Sequence, residues 1–306
     1  MKKLMAAVAT VATLAMAANA DTVTTNGVTW IYTIEDSTAN TVSLGTGVEP
    51  SAANLSAGNC IPMDTVIDAS KIPWTFTKDG TDYTVVKIEK FAFYNCKGLT
   101  GTLALPDCIT YLNTSAFNAS GLTGISSLGS GYTINLGVQQ NVFRDCTNLT
   151  GRLVIPDAFN TGFNNYVFYN TGFSAITVGS NTTQIGRYFA SKCTNLKGVW
   201  IKGRSGSNYT AVKGYNTFAS STNLKVALFG LNTSYDDASN SYPTFQNITG
   251  CKVFIPANGK WTAATTAALG GTSTDAIYYG ANTNLNVAVD ESANTITSRR
   301  RTRLRS

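Results

Sequence analysis

Residues Ile88 to Pro106 read IEKFAFYNCKGLTGTLALP, and a version of the string returns at Ile134 to Pro156 as INLGVQQNVFRDCTNLTGRLVIP. Each copy has the same order: an aliphatic residue, a Phe, a Cys or small residue three later, a Leu, and an apolar-x-apolar strand that often ends in Pro. Weaker copies fill the gap and continue beyond it. The Phe column runs Phe93, Phe117, Phe143, Phe168, Phe189, Phe218 and Phe245, with gaps of 24, 26, 25, 21, 29 and 27 residues. A period in this range is the signature of a solenoid, in which no unit buries its apolar face alone and neighbours stack to do so.

Within a unit, the aliphatic residue (Ile88, Ile109 or Leu112, Ile134, Ile185) and the Phe point inward. The Ala-Phe or Val-Phe segment reads as a turn of α- or 3-10 helix. A Leu follows (Leu99, Leu122, Leu149, Leu196, Leu224), and the strand then sets two inward residues around one outward residue: Leu103-Ala104-Leu105, Leu153-Val154-Ile155, Val199-Trp200-Ile201 and Val253-Phe254-Ile255. Pro106, Pro156 and Pro256 end three strands, since Pro cannot donate to a ladder. Stacking aligns the outward residues Ala104, Val154, Thr177, Trp200, Ala227 and Phe254 on one face. Repeat proteins bind through such faces, so Trp200, Phe254, Val154 and Thr177 are the candidate ligand-binding residues. The competing reading, that an insertion such as 203–208 covers Trp200, stays open. Tyr94, Tyr169 and Tyr188, beside the repeat Phe, read as core or rim packing rather than sugar-stacking platforms.

The units F-A-F-Y-N-C-K-G-L-T and V-F-R-D-C-T-N-L-T, each closing on an L-x-L/I-P strand, resemble BspA-like leucine-rich repeats, found in exported bacterial surface proteins. The resemblance covers about 170 of 306 residues. It implies a leucine-rich-repeat solenoid, curved and β-rich, with parallel strands on one face, and roles in adhesion or protein binding. It transfers no catalytic residue, and fold alone does not fix function.

The flanks divide around this array. Residues 1–20 read as a secretory signal peptide: Lys2 and Lys3, an apolar run, then Ala18-Asn19-Ala20. The run is short for a bilayer span. Residues 21–86 form a β-rich N-terminal cap, with alternation at Val28, Trp30, Tyr32 and Ile34 and a hairpin signal at Asp79-Gly80. About seven repeats occupy 87–256. Residues 257–298 are read as a C-terminal cap, with a short helix at 262–269 and strands around Ile277 and Val287. Residues 299–306 are read as a basic disordered tail.

Charge and composition narrow the function. Without Lys2, Lys3 and the five arginines after Ser298, the net charge of +6 becomes −1 for residues 21–298. That body offers no basic face for nucleic acid. The chain has no His, which excludes His-based triads and most catalytic zinc sites. No cofactor or metal site is expected. Cys96, Cys146 and Cys193 share one repeat position. Equivalent positions two coils apart lie roughly 10 Å apart, too far for a disulfide, so these are read as buried free thiols. Whether Cys60 and Cys108 pair is left open. The leading function is an exported, non-enzymatic protein that recognises a protein or glycan at or beyond the cell surface, in adhesion or binding. The alternatives are a self-associating envelope or matrix component and, third, a carboxylate-based hydrolase. Oligomeric state is not legible.

Overall fold

The computed structural model describes residues 20–52, 54–55, 57–132, 138–204, 208–235, 243–258, 260–261, 274–279, 285–290 and 295–300. Residues 1–19 of the segment read as a signal peptide, Ile134 and the helix expected at 262–269 lie outside them.

Strands β1 (Ala20–Thr25) and β2 (Val28–Asp36) make an antiparallel hairpin. Its turn residues, Asn26 and Gly27, sit at φ +54° and +76°, the left-handed pair a tight hairpin requires. Strand β3 (Thr41–Leu44) returns antiparallel to β2. Strand β4 (Ile67–Asp68) precedes a 3-10 turn at Ala69–Lys71, and β5 (Thr75–Lys78) and β6 (Thr81–Ile88) form the expected hairpin at Asp79-Gly80. Alternation predicts one buried face for β2. The structure buries Ile31 together with Trp30 and Tyr32, because the segment carrying Cys60 lies against it, with Ile31 N–H donating to Cys60 O at 2.8 Å. Ile34 is exposed.

The N-terminal region already contains a coil. Strand β3 pairs parallel with β6, Cys60 N–H donates to Ala92 O at 2.8 Å, and β4 pairs parallel with β7 (Leu99–Thr100). Strand β3, Cys60 and strand β4 therefore stack on the first Phe-bearing unit with the same three contacts that later units use.

Each coil has three sides. The first is the expected parallel strand. It comprises β8 (Thr102–Ala104), then β10 (Gly124–Ser127), paired with it, and farther on β11 (Arg152–Val154), β12 (Ala175–Val178), β14 (Gly198–Gly203), β16 (Val226–Tyr235) and β17 (Cys251–Pro256), hydrogen-bonded in that order. The second is a shorter parallel ladder absent from the sequence reading. It runs through Leu44, Ile88, Leu112, Val138, Phe163, Ile185, Val212 and Tyr235, using β9 (Tyr111–Leu112), β13 (Gln184–Ile185) and β15 (Thr210–Val212). Leu112, not Ile109, takes the repeat's aliphatic place; Ile109 is buried beside it.

The third side carries the Phe column, and here the helical turn expected from sequence is absent. Six coils make consecutive turns with two left-handed residues four apart: Phe91 and Asn95, Ser115 and Ala119, Asn141 and Asp145, Tyr166 and Asn170, Tyr188 and Lys192, Asn216 and Ser220; the Phe245 coil has Pro243 at the first place and keeps only Asn247 left-handed. The reason lies in the donors. The N–H groups of Phe93, Phe117, Phe143, Phe168 and Phe218 reach the next coil, at Ala116, Val142, Val167, Phe189 and Thr244, over 2.7–2.9 Å. A helix would need those donors for its own carbonyls, and alternating left-handed residues turn them outward to the neighbour.

The core is one continuous column. Phe93, Phe117, Phe143 and Phe168 stack face to face at 4.8–5.5 Å. Trp30 closes one end, edge-on to Phe93 at 6.4 Å. Trp261 closes the other against Phe229 at 4.8 Å, its indole N–H donating to Thr233 O. Beyond Pro256 the parallel ladder gains one more rung, β18 (Thr274–Tyr279), paired in register with β17. An antiparallel hairpin follows, β19 (Leu285–Asp290) and β20 (Thr295–Arg300). Arg299 and Arg300, assigned to a disordered tail by sequence, close that last strand.

Candidate functional site

On the strand side the register aligns Val154, Thr177, Trp200, Leu228, Phe254 and Ile277. Ala227 does not belong to this row. It points inward with Phe229 and is fully buried, and Leu228 takes the outward place. The sequence misleads because Leu228 has a core residue's chemistry and Ala227 a surface residue's size.

The candidates of this row differ in access. Val154 is 50% exposed. Thr177 is buried, its hydroxyl accepting from Arg152 Nη2 at 2.9 Å. Trp200 is half-buried, with Lys202 Nζ 5.3 Å from its ring centre and 3.3 Å from Asp157. The exposure expected at Phe254 is not found: it is 5% exposed and packs with buried Leu228, against Trp200, Val226 and Ile277. The strand row is an apolar strip that largely covers itself, because large neighbours at strand spacing pack on one another. The covering insertion at 203–208 includes residues outside those described.

The turn side holds a second row. Tyr166 and Tyr188 stack at 4.4 Å with planes 8° apart, and Tyr215 follows at 5.3 Å. Tyr169 meets Tyr166 edge-on at 5.6 Å. Cations interleave with the rings. Arg144 lies 5.4 Å over Tyr166 and 4.9 Å over Tyr169, Arg187 lies 5.1 Å over Tyr215, and Lys192 Nζ lies 5.4 Å over Tyr169. Asp145 is the acid of the group. It takes Arg144 Nε at 3.2 Å and Asn170 Nδ2 at 2.8 Å. Burial and the neighbouring Tyr188 push the Tyr166 phenol above its ordinary range, and the Tyr169 hydroxyl beside Lys192 raises that ammonium. The sequence reading reached Tyr169 and Tyr188 but missed Tyr166, Tyr215 and the three cations. A signal was present: Tyr166 and Tyr188 hold the same place in their turns as Phe91.

The cysteines behave as small core groups. All six are free thiols, and Cys60 and Cys108 do not pair. Cys146 and Cys193 donate to the Phe117 and Phe168 carbonyls at 3.0 and 3.1 Å, and Ser120 and Thr171 fill the same position between them. Burial pushes Cys96 up to about 12 and Cys146 and Cys193 up to about 11. A thiol held protonated is neither nucleophile nor metal ligand. Among the described residues no group of three His, Cys, Asp or Glu side chains could hold a metal ion, and no helix is long and apolar enough to cross a membrane.

Coils of about 25 residues, stacked by parallel ladders around a Phe column, define a leucine-rich-repeat solenoid. The profile described as "BspA type Leucine rich repeat region" matches the sequence in six copies, over residues 77–197 and 133–242. The chain belongs to the BspA-type leucine-rich-repeat family. Solved structures similar to it include a leucine-rich cell surface protein from Faecalibacterium prausnitzii, at 13% identity, 86% coverage of this chain, 96% of that chain and a TM-score of 0.30. A leucine-rich repeat protein from Bacteroides ovatus aligns at 12% identity, with 86% and 98% coverage and a TM-score of 0.25. The pneumococcal vaccine antigen PcpA aligns at 12% identity, with 86% and 99% coverage and a TM-score of 0.28. No curated protein sequence matches. The family assignment rests on the profile match, and it makes this a repeat-based binding or surface protein.

Proposed function

We propose that this protein is an exported, non-enzymatic recognition protein that binds a protein or glycan at the bacterial cell surface. The observation that carries the reading is where the fold puts large aromatics. Tyr166 and Tyr188 occupy left-handed turn positions at φ +61° and +54°, a conformation that costs bulky side chains roughly 1–2 kcal/mol each. Asn holds the equivalent places in other coils, at Asn141 and Asn216. Strained, half-buried rings on the outside of a rigid array support a contact surface better than they support stability. Rigidity itself favours binding, because side chains already ordered by coil-to-coil hydrogen bonds lose little entropy on contact. On the strand side, Val154 and the accessible edge of Trp200 supply a second contact point, with Thr177 and Phe254 beneath them.

The test is a binding screen of the purified full chain against extracellular proteins and glycans, with the heat-unfolded chain as control, alongside protease accessibility on intact producing cells. Saturable binding by the folded chain alone, together with surface exposure, supports the reading. A protein confined inside the cell, or one that binds nothing while assembling into regular polymers, would replace it with the structural alternative.

A further inference from the structure

The turn-side row narrows the ligand class, given that the protein is a recognition protein as proposed above. Stacking covers the facing sides of Tyr166 and Tyr188, and Arg144 lies 5.4 Å from the Tyr166 ring. Tyr188 lies between Tyr166, stacked on it at 4.4 Å, and Tyr215, tilted to it by 55°, and Arg187 lies 5.1 Å from the centre of the Tyr215 ring. Arg187 and Lys192 are exposed beside these half-buried rings. A ring covered by another ring or by a cation is a poorer platform for a neutral sugar, and the row offers phenol and cationic donors instead.

The charge balance points the same way. Asp145, the carboxylate of the group, is already engaged by Arg144 and Asn170. Neither Arg187 nor Lys192 has an ion-pair partner among the described residues; each is held instead against a tyrosine. Two cations without an ion pair therefore stand beside a row of phenols, with Asp145 acting on Lys192 only at longer range, in a body whose net charge is −1 over residues 21–298. Amides lie close by: Asn165 Oδ1 accepts from the Arg187 backbone N–H at 2.9 Å, and Asn170 donates to Asp145. Successive coils repeat at about strand spacing, near 4.8 Å, so the donors recur along one direction. A stiff polymer with regularly placed anions and many hydroxyls matches such a surface better than a flexible acidic peptide, whose ordering on binding costs free energy.

We infer that the Tyr166–Tyr188–Tyr215 row, with Arg187 and Lys192, is a binding site for an acidic polysaccharide, one whose sugars carry carboxylate or sulfate groups. Guanidinium and ammonium contact the anions, and phenol hydroxyls and amides contact the sugar hydroxyls.

The experiment measures binding of the folded full chain to size-matched heparin, polygalacturonate, dextran and poly-glutamate by titration calorimetry at several salt concentrations. Binding to heparin or polygalacturonate but not dextran is expected, weakening as salt rises. The variant Arg187→Gln/Lys192→Gln is expected to bind at least about fivefold more weakly, with an unchanged unfolding midpoint. Two charge-matched controls place the effect, Lys225→Gln/Lys252→Gln on the strand side and Arg303→Gln/Arg305→Gln at the chain's end; both are expected to bind as the parent does. Affinity lost in the latter control and kept in the former variant would overturn the site and assign polyanion binding to the terminal arginines. Equal binding of dextran, or binding of poly-glutamate alone, would overturn the ligand class. If the protein binds another surface ligand that the Arg187/Lys192 variant does not affect, this inference fails and the recognition function stands.

Discussion

The rings of Phe168 and Phe189 meet edge-on, with centres 5.3 Å apart and planes at 89°. Every earlier pair in the column, from Phe93 to Phe168, is parallel within 11°. The break has a sequence cause. Counted from the left-handed residue that opens each turn, Phe stands two places on at Phe93, Phe117, Phe143, Phe168 and Phe218, but one place on at Phe189. Ala190 holds the column place instead. The large and small residues are exchanged in this coil, and Phe163 fills the freed space, its centre 5.2 Å from Phe189 and 5.7 Å from Phe168.

This exchange can be reversed. Phe189→Ala alone is expected to lower unfolding free energy by about 3–5 kcal/mol, the usual cost of emptying a buried Phe site. Ala190→Phe alone is expected to destabilise by overpacking against Phe163. The triple variant Phe163→Val/Phe189→Ala/Ala190→Phe rebuilds the regular arrangement and is expected to be more stable than either single variant. Denaturant titration orders the three. A triple variant weaker than both singles would show that the exchange is not locally compensated.

The left-handed turns give a second prediction. Ala119 sits at φ +57° and donates its N–H to Arg144 O at 2.8 Å. Ala119→Gly is expected to leave stability unchanged or raise it by up to about 1 kcal/mol, because glycine adopts this conformation freely. Ala119→Val is expected to lower it by more than about 1 kcal/mol. Equal effects of Gly and Val on the thermal midpoint would argue against a left-handed residue there.

The buried thiols predict alkaline sensitivity. Folding holds Cys146 and Cys193 protonated, raising them to about 11, and Cys96 to about 12. An unfolded thiol ionises near 8.5. The raised native pKa therefore contributes stability that is intact below about pH 8.5 and is lost as pH rises toward 11. Each thiol adds up to about 1.4 kcal/mol of loss per pH unit in that window. Comparing wild type with Cys146→Ala between pH 8 and 11 isolates one contribution, and the variant is expected to show the shallower decline. Identical slopes would show that the Cys146 site is hydrated.

Thiol labelling separates the same residues by access. Cys108 is the half-buried thiol; the other five are buried. A disulfide reagent applied to the folded protein is expected to react first at Cys108, with the rest following at the rate of unfolding. Rapid labelling of several thiols would contradict the packed column.

Trp200 gives a readout on the strand side. Its emission, isolated by difference from Trp200→Phe, is expected to quench partially with an added neutral quencher, and more fully after Lys202→Ala removes the ammonium over its ring. Full protection in both proteins would remove Trp200 from the contact surface proposed for that side.

Much of the solenoid was readable because its period is a one-dimensional property. The column from Phe93 to Phe245, the Leu after each turn and the inward pairs such as Leu153 and Ile155 all follow from which residues recur and how alternation assigns faces. The shared position of Cys96, Cys146 and Cys193 was readable for the same reason, and so was the BspA-type repeat family. Other features depended on which donors meet which acceptors between coils. The Phe turns looked helical because Ala-Phe and Val-Phe suit a helix; only the neighbouring coil's carbonyls make paired left-handed turns the better arrangement. The Ala227–Leu228 register, the burial of Phe254 and the exchange at Phe189–Ala190 are set by volumes in adjacent coils. The sequence did carry one trace of that exchange, since Cys193 follows Phe189 by four residues where Cys96 follows Phe93 by three. The tyrosine–arginine row needed the fold most, because Arg144, Tyr169, Tyr188 and Tyr215 come from four coils. Periodicity fixes what stacks inside; what meets on the surface depends on the lateral offset of each coil, which only tertiary packing decides.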